Sequence, residues 1–209
     1  RLIINLEQRY GLAGIAARLL AAPSARVISF RSNLMSHDAT ESADYDPLDE
    51  HELKSFVRIF AQSLGVSERA SQPRSRTAPA TGLPVLALAG SGCPSRRLRS
   101  DQWAAFIDRI VPSGNLQIIS APADYALAQA IAQRVGTRAV AARLSWTEIV
   151  EQVRVAPRVL TIDGGMVHVA SYFGTPVTAL FTAGRHLKWS PWSAGSTVIR
   201  RSDLSCQPC

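Results

Sequence analysis

The sequence predicts an α/β protein made of two Rossmann-like domains with parallel sheets. Short apolar runs alternate with amphipathic stretches along the 209 residues, the order expected when each strand is followed by a crossover helix. A polar stretch at residues 67–82 divides this alternation in two. The composition, 46% hydrophobic and 19% charged, is typical of a globular chain that buries a core.

The first domain is predicted over residues 1–66. Its expected elements are strands at residues 2–6 and 26–30 and helices at residues 12–20 and 53–64, the last ending at Gly65. Residues 33–50 are polar and acidic and predict a surface loop. The chain begins at Arg1 and enters a strand at once, so we expect it to lack the first part of this domain.

Residues 67–82 predict an interdomain linker, because Ser, Pro, Arg, Thr and Ala dominate there and large apolar side chains are scarce. The second domain is predicted over residues 83–209. Its strands are expected at residues 84–89, 116–120, 138–142, 158–162 and 177–181. Helices are expected between these strands, and Ser145 and Glu148 have the spacing of a capping box that opens one of them.

The net charge of +7 and the pI near 10 favour an anionic partner, although an Arg-rich composition alone would give the same values. Nucleic acid, an anionic membrane, phosphorylated sugars and nucleotide diphosphates all fit that charge. The apolar runs are far shorter than the roughly 18–20 residues that span a bilayer. Three cysteines are no disulfide framework and suit the cytosol.

Ligands of an open parallel sheet bind beyond the carboxyl ends of its strands. The strongest candidate there runs from Asp163 through Gly164, Gly165 and Met166 to His168, between a predicted strand and helix. Its glycines allow close backbone approach, and N–H groups at a helix start bind diphosphates. In the alternative interpretation Asp163 only caps the helix, the glycines form a tight turn and His168 faces solvent.

A second loop, residues 90–99, combines Ser91 with Arg96 and Arg97, and guanidinium groups suit phosphate oxygens. It lacks the Gly-Lys-Ser/Thr ending of a P-loop, and a solvated basic face is the alternative. Asp124, at a third strand end, is a candidate for ribose hydroxyls or simply a favourable charge at a helix start. Cys206 and Cys209 have the spacing of half a metal site, and nothing else suggests a metal.

Several motifs together resemble the C-terminal signature of glycosyltransferase family nine, the ADP-heptose:lipopolysaccharide heptosyltransferases. They are Asp163 to Ala170, the Gly174-Thr175-Pro176 turn with the strand after it, Trp189-Ser190-Pro191 and Cys206 to Cys209. The family pattern reads Asp-Thr-Gly-x-x-His, and Gly164 stands here for Thr. Residues 89–103 resemble the family's glycine-rich turn and Lys-Arg-Trp-Pro segment, with Arg96 in place of Lys.

The resemblance implies a GT-B architecture, with the donor bound mainly by the C-terminal domain and the acceptor by the N-terminal domain. It implies inverting, metal-independent transfer of a heptose or similar sugar from an ADP-linked donor to a phosphorylated lipopolysaccharide core, without a cofactor. Arg96 would stabilise the phosphates. The general base would lie near the start of the N-terminal domain, in the part expected to be absent here.

The resemblance further implies a bacterial, cytoplasmic enzyme that does not bind nucleic acid, at the inner face of the cytoplasmic membrane or free of it. Two alternatives stay open. One is a heptosyltransferase that modifies a protein such as an autotransporter, with Cys206 and Cys209 in a metal-binding finger. The other is a non-catalytic nucleotide-sugar-binding module, suggested by the changes at Arg96 and Gly164.

Overall fold

The computed structural model describes residues 2–5, 26–31, 42–44, 54, 61, 65, 73–88, 96–182, 184–201 and 203. The chain divides into two compact units, residues 1–71 and 72–209. That division falls inside the stretch predicted as a linker. In the described part of the chain, no helix has the length and apolar character needed to cross a membrane.

The N-terminal unit contains three parallel strands in the order β1-β2-β3. They are β1 (Leu2–Asn5), β2 (Arg26–Arg31) and β3 (Ser42–Asp44). The first two confirm the predicted strands, whereas β3 shows that the prediction of a loop throughout residues 33–50 was wrong. The backbone of Ser42 to Asp44 pairs with β2 from Ser29 to Arg31, and tertiary pairing overrides the low strand propensity of Ser, Ala and Asp. The helix expected at residues 12–20 lies outside the described residues.

The C-terminal unit contains a six-stranded parallel sheet in the order β6-β5-β4-β7-β8-β9. Its strands are β4 (Val85–Leu88), β5 (Leu116–Ser120), β6 (Ala139–Arg143), β7 (Val159–Ile162), β8 (Val177–Phe181) and β9 (Thr197–Arg200). The first five confirm predicted strands. The chain builds outward from β4 in one direction and then returns to β7 on its other side, so the topological switch point lies between β4 and β7.

Helices cover both faces of this sheet. They are α1 (Ser100–Ile110), α2 (Tyr125–Val135), α3 (Trp146–Val155), α4 (Gly165–Tyr172) and the short α5 (His186–Trp189). The predicted capping box opens α3, with the Ser145 amide donating to Glu148 at 2.7 Å and the Glu148 amide donating to the Ser145 hydroxyl at 3.4 Å. Gly136 ends α2 with φ +76°.

The core has two layers because side chains alternate across each strand. Leu86 and Leu88 of β4 face one layer with α1 and α2, where Trp103, Ile107 and Ile131 are buried. Val85 and Ala87 face the other layer, with α3 and α4. Burying each large side chain of this kind stabilises a fold by roughly 1.5–3 kcal/mol, so packing on both faces stabilises the sheet whose strand ends carry the candidate site.

Residues 73–81, which we call the strap, run along the amino edge of this sheet. The Thr77 amide donates to the Phe173 carbonyl at 3.0 Å, and the Thr81 amide donates to Val155 at 2.8 Å. Arg74 forms an isolated parallel bridge with Ser193. All three partners lie in segments that lead into strands. This part of the predicted linker is therefore hydrogen-bonded to the rest of the C-terminal unit along most of its length.

Candidate functional site

The candidate site lies at the carboxyl edge of the six-stranded sheet, beside the switch point. Asp163 directly follows β7, and its amide donates to the Leu180 carbonyl of β8 at 2.9 Å. Ligands of open α/β sheets bind where the strand order reverses. The fold thus places Asp163 at the position that the topology favours for a ligand.

Asp163 is almost completely buried, with 4% of its surface exposed. Its Oδ2 has no hydrogen-bond partner, and neither does the buried Nε of Arg96, which lies 3.5 Å away. The two groups attract each other by charge without a hydrogen bond. Buried polar atoms are usually hydrogen-bonded, so this unsatisfied cation and anion that face each other make the place a candidate for binding a polar ligand.

Burial raises the pKa of Asp163 above its ordinary value of 3.8, and the charge of Arg96 partly opposes this rise. Desolvation penalises the ionised carboxylate, whereas the nearby guanidinium favours it. The Arg96 side chain keeps 33% of its surface exposed. It therefore has access to a ligand on its solvent side while its Nε stays close to Asp163.

The start of α4 supplies backbone donors at the same edge. Gly164 is the N-cap, and no side chain caps the helix, so the alternative role of Asp163 as the N-cap residue is wrong. The first N–H groups of a helix have no intrahelical acceptors and carry partial positive charge. Gly164 and Gly165 directly follow Asp163 in the chain, so the start of the helix lies close to its carboxylate.

An added Cβ on Gly164 would lie 3.8 Å from the Ile162 carbonyl, its nearest neighbour, and one on Gly165 would meet nothing within 4 Å. Both glycines therefore leave open space at the helix start. His168, one turn later, is exposed and contacts Trp189 of α5 edge to face, with the ring centres 5.7 Å apart. This contact fixes the outer side of α4 against the segment that follows β8.

The other candidates are more scattered. Asp124 precedes α2 and makes no side-chain cap, and it lies on the part of the carboxyl edge that follows β5. Arg97 is exposed beside Arg96. Ser91, Cys206 and Cys209 lie outside the described residues. Within the part of the chain that is described, no three His, Cys, Asp or Glu side chains could hold a metal ion together.

Two residues at this edge escaped the sequence reasoning. Ser120 ends β5, is fully buried, and its Oγ lacks a hydrogen-bond partner. Gly184, shortly after β8, packs against Asp163 so closely that an added Cβ would lie 2.5 Å from the carboxylate Cγ. Strand ends were a usable signal for Ser120, whereas the contact of Gly184 exists only in three dimensions.

Solved structures match this fold. A family 9 glycosyltransferase from Veillonella parvula has a TM-score of 0.70 at 18% identity, covering 97% of this chain and 64% of its own. The E. coli heptosyltransferase WaaC with ADP has a TM-score of 0.68 at 15% identity, and the match covers 95% of this chain and 66% of that one. E. coli ADP-heptose LPS heptosyltransferase II has a TM-score of 0.71 at 12% identity, and the match covers 99% of this chain and 72% of that one. These likenesses confirm the α/β, GT-B fold class.

This chain spans less than two thirds of the length of the first two structures. No curated protein sequence matches it. The family model described as glycosyltransferase family 9 (heptosyltransferase) matches residues 29–209, which include β3, the end of β2, the whole six-stranded sheet and the whole candidate site. The chain belongs to glycosyltransferase family 9, the heptosyltransferase family.

Proposed function

We propose that the protein transfers a heptose or a similar sugar from an ADP-linked donor to a phosphorylated lipopolysaccharide core acceptor, with inversion and without a metal. The observation that carries this proposal is the unsatisfied pair of Asp163 Oδ2 and Arg96 Nε beside the free start of α4. A nucleotide-sugar offers both hydroxyl donors for a carboxylate and anionic oxygens for a guanidinium and backbone amides.

In the proposed complex, Asp163 accepts hydrogen bonds from hydroxyls of the donor sugar. Arg96, with Arg97 next to it, contacts the diphosphate, which gains negative charge as the sugar leaves. The N–H groups of Gly165 and Met166 add dipoles aimed at the same charge. Preorganised donors of this kind stabilise the transition state because they need no reorientation during the reaction. Asp124 and Ser91 are assigned to the nucleoside side of the donor.

The rest of the reaction belongs to the acceptor. Its hydroxyl attacks the anomeric carbon while a base removes its proton. The family resemblance assigns that base to a carboxylate of the N-terminal domain. The chemistry of the acceptor, an anionic phosphorylated glycolipid, agrees with the net charge of +7, and a peripheral position at the inner membrane surface follows from it.

Donor binding tests the proposal. Calorimetry with ADP and ADP-heptose should show both ligands binding to the chain, and Arg96→Ala should weaken both by about tenfold or more, since a charge-assisted hydrogen bond contributes roughly 1.5–3 kcal/mol. Arg154→Ala is the matched control, because Arg154 pairs with Glu151 on α3 and belongs to no part of the site. Absence of binding to either ligand would refute the proposal.

Turnover separates an enzyme from a binding module. The protein would be incubated with a panel of nucleotide-sugars and core acceptors, and the product detected by its mass. A heptosylated core supports the proposed reaction. Tight donor binding without any product would instead favour the non-catalytic module.

A further inference from the structure

Gly184 lies where the chain leaves β8, and Asp163 lies where it leaves the neighbouring β7. An added Cβ on Gly184 would overlap Oδ2 of Asp163, lie 2.5 Å from its Cγ and lie 3.3 Å from its Oδ1. A separation of 2.5 Å is far inside van der Waals contact. The carboxylate of Asp163 therefore occupies the space that any larger residue at position 184 would fill.

Backbone conformation does not explain this glycine. Six glycines in the described part of the chain have φ in the left-handed region, between +66° and +97°, and Gly184 is not one of them. Its φ therefore lies outside the left-handed region that favours glycine. The atoms that a Cβ at position 184 would meet first all belong to the Asp163 side chain.

The overlap concerns Oδ2 more than Oδ1, and Oδ2 is the oxygen that lies 3.5 Å from Arg96 Nε. Gly184 and Arg96 thus contact the same atom of a carboxylate that has no hydrogen bond there to hold it. We propose that Gly184 is a positioning residue: its missing side chain sets the direction of the Asp163 carboxylate, and through it the recognition of the donor sugar.

This inference rests on the proposed function, in which Asp163 binds the sugar part of the donor. A side chain at position 184 must turn the carboxylate away from its present direction or push the segment after β8 outward. Either movement changes the contacts to the sugar hydroxyls. In the proposed complex the diphosphate is bound by Arg96 and by the start of α4, which belong to other segments, so binding of ADP alone should change much less than binding of ADP-heptose.

The test compares two ligands in one variant. Gly184→Ala should weaken binding of ADP-heptose by about tenfold, the effect of losing one hydrogen bond to a charged group, while its affinity for ADP stays within about twofold of the wild type. Leu187→Ala is the control, because Leu187 belongs to the same segment and is largely exposed. Equal weakening of both ligands by Gly184→Ala would overturn the inference, since a general loosening of the segment acts on both.

A stability cycle tests the contact without any ligand. Gly184→Ala should lower the Tm in the wild type and have almost no effect in Asp163→Ala, where no carboxylate occupies the space. Equal losses in both backgrounds would overturn the inference. If the wild type binds neither ADP nor ADP-heptose, the proposed function fails, and the cycle still shows whether Gly184 positions Asp163.

Discussion

At the scale of single residues, the site is held in an unfavourable electrostatic state. Folding removes Asp163 from water and gives its Oδ2 no hydrogen bond. An unpaired buried polar atom costs about 1–3 kcal/mol, and Arg96 offsets only part of that cost because it is not hydrogen-bonded to Oδ2. Residues that serve function are often those that reduce stability in this way.

The variant Asp163→Asn tests this cost. The raised pKa of Asp163 means that the folded state binds the proton more tightly than the unfolded state. The protonated carboxyl therefore stabilises the fold fully below the unfolded pKa, and this stabilisation is lost as the pH rises through the folded pKa. Asn has a similar shape and no ionisation. We expect the Tm of the Asn variant at pH 7 to equal or exceed that of the wild type, with the difference shrinking as the pH falls towards 3.8.

Thermal unfolding followed by circular dichroism between pH 4 and pH 8 measures this difference. A Tm that is lower in the Asn variant at neutral pH and recovers in acid would mean that the fold stabilises the carboxylate. The same variant should lose most donor binding and most of the proposed transferase activity. If the Asp163→Asn variant kept wild-type activity, Asp163 would have no role in donor binding or transfer.

Residue identity predicted some of this site and missed the rest for a clear reason. Asp163 and Arg96 were found because charged side chains stood in loops after apolar runs. The position of Ser120 at a strand end was a usable signal but does not show that its hydroxyl is buried without a partner, and Gly184 lies in a segment without a motif. Their roles depend on neighbours that are distant in sequence, which one sequence without a fold does not identify.

At the scale of elements, local signals worked where they were strong. Four strands, β4, β5, β7 and β8, are apolar and mostly buried. The N-terminus of α3 was predicted from the capping-box spacing of Ser145 and Glu148. In contrast, α5 and β9 were missed. The first has four residues, and β9 is an edge strand whose four residues are all at least partly exposed, so neither produces a clear periodic pattern.

The capping box of α3 gives a second prediction. Ser145→Ala removes the acceptor for the Glu148 amide and should lower the free energy of unfolding by about 1 kcal/mol. Ser145→Asp is the control, because Asp is also a good N-cap. Denaturant unfolding measures both variants. An Ala variant as stable as the Asp variant would show that the box contributes nothing to the fold.

The strap gives a third prediction. Gly174 has φ +70°, and an added Cβ would overlap the Ser75 carbonyl and lie 2.6 Å from the Arg76 amide nitrogen. Gly195 has nearly the same φ, +71°, but its nearest neighbours are 4.0 Å away. Gly195→Ala therefore measures the left-handed strain alone, about 1–2 kcal/mol. Gly174→Ala should cost clearly more, because the strap must also move.

Denaturant unfolding of the two variants separates these effects. The excess loss in Gly174→Ala reports the contact with the strap. If the two substitutions cost the same, the strap either yields without cost or does not lie on Gly174 in solution.

At the scale of the whole molecule, strand order decides where the site is. Alternating strands and helices predicted a parallel sheet, but many orders satisfy that alternation. The reversal between β4 and β7 brings the loop containing Arg96 next to Asp163, although the two residues are 67 positions apart in the chain. Both residues were predicted from the sequence as parts of the site, whereas their proximity follows from the strand order.

The strap also decides how members of this family can be recombined. Arg76 donates to the carbonyls of Ala156 and Pro157 at 2.7 and 3.0 Å, and the Arg74 guanidinium stacks on Tyr172. A hybrid enzyme that joined a foreign N-terminal half at residue 83 would bring a strap with the wrong partners. A crossover at residue 72 keeps each strap with the surface it evolved on. We expect hybrids joined at residue 72 to be soluble and to unfold cooperatively. Hybrids joined at residue 83 should have a lower Tm, because the carbonyls at the amino edge of the sheet lose their hydrogen bonds to the strap.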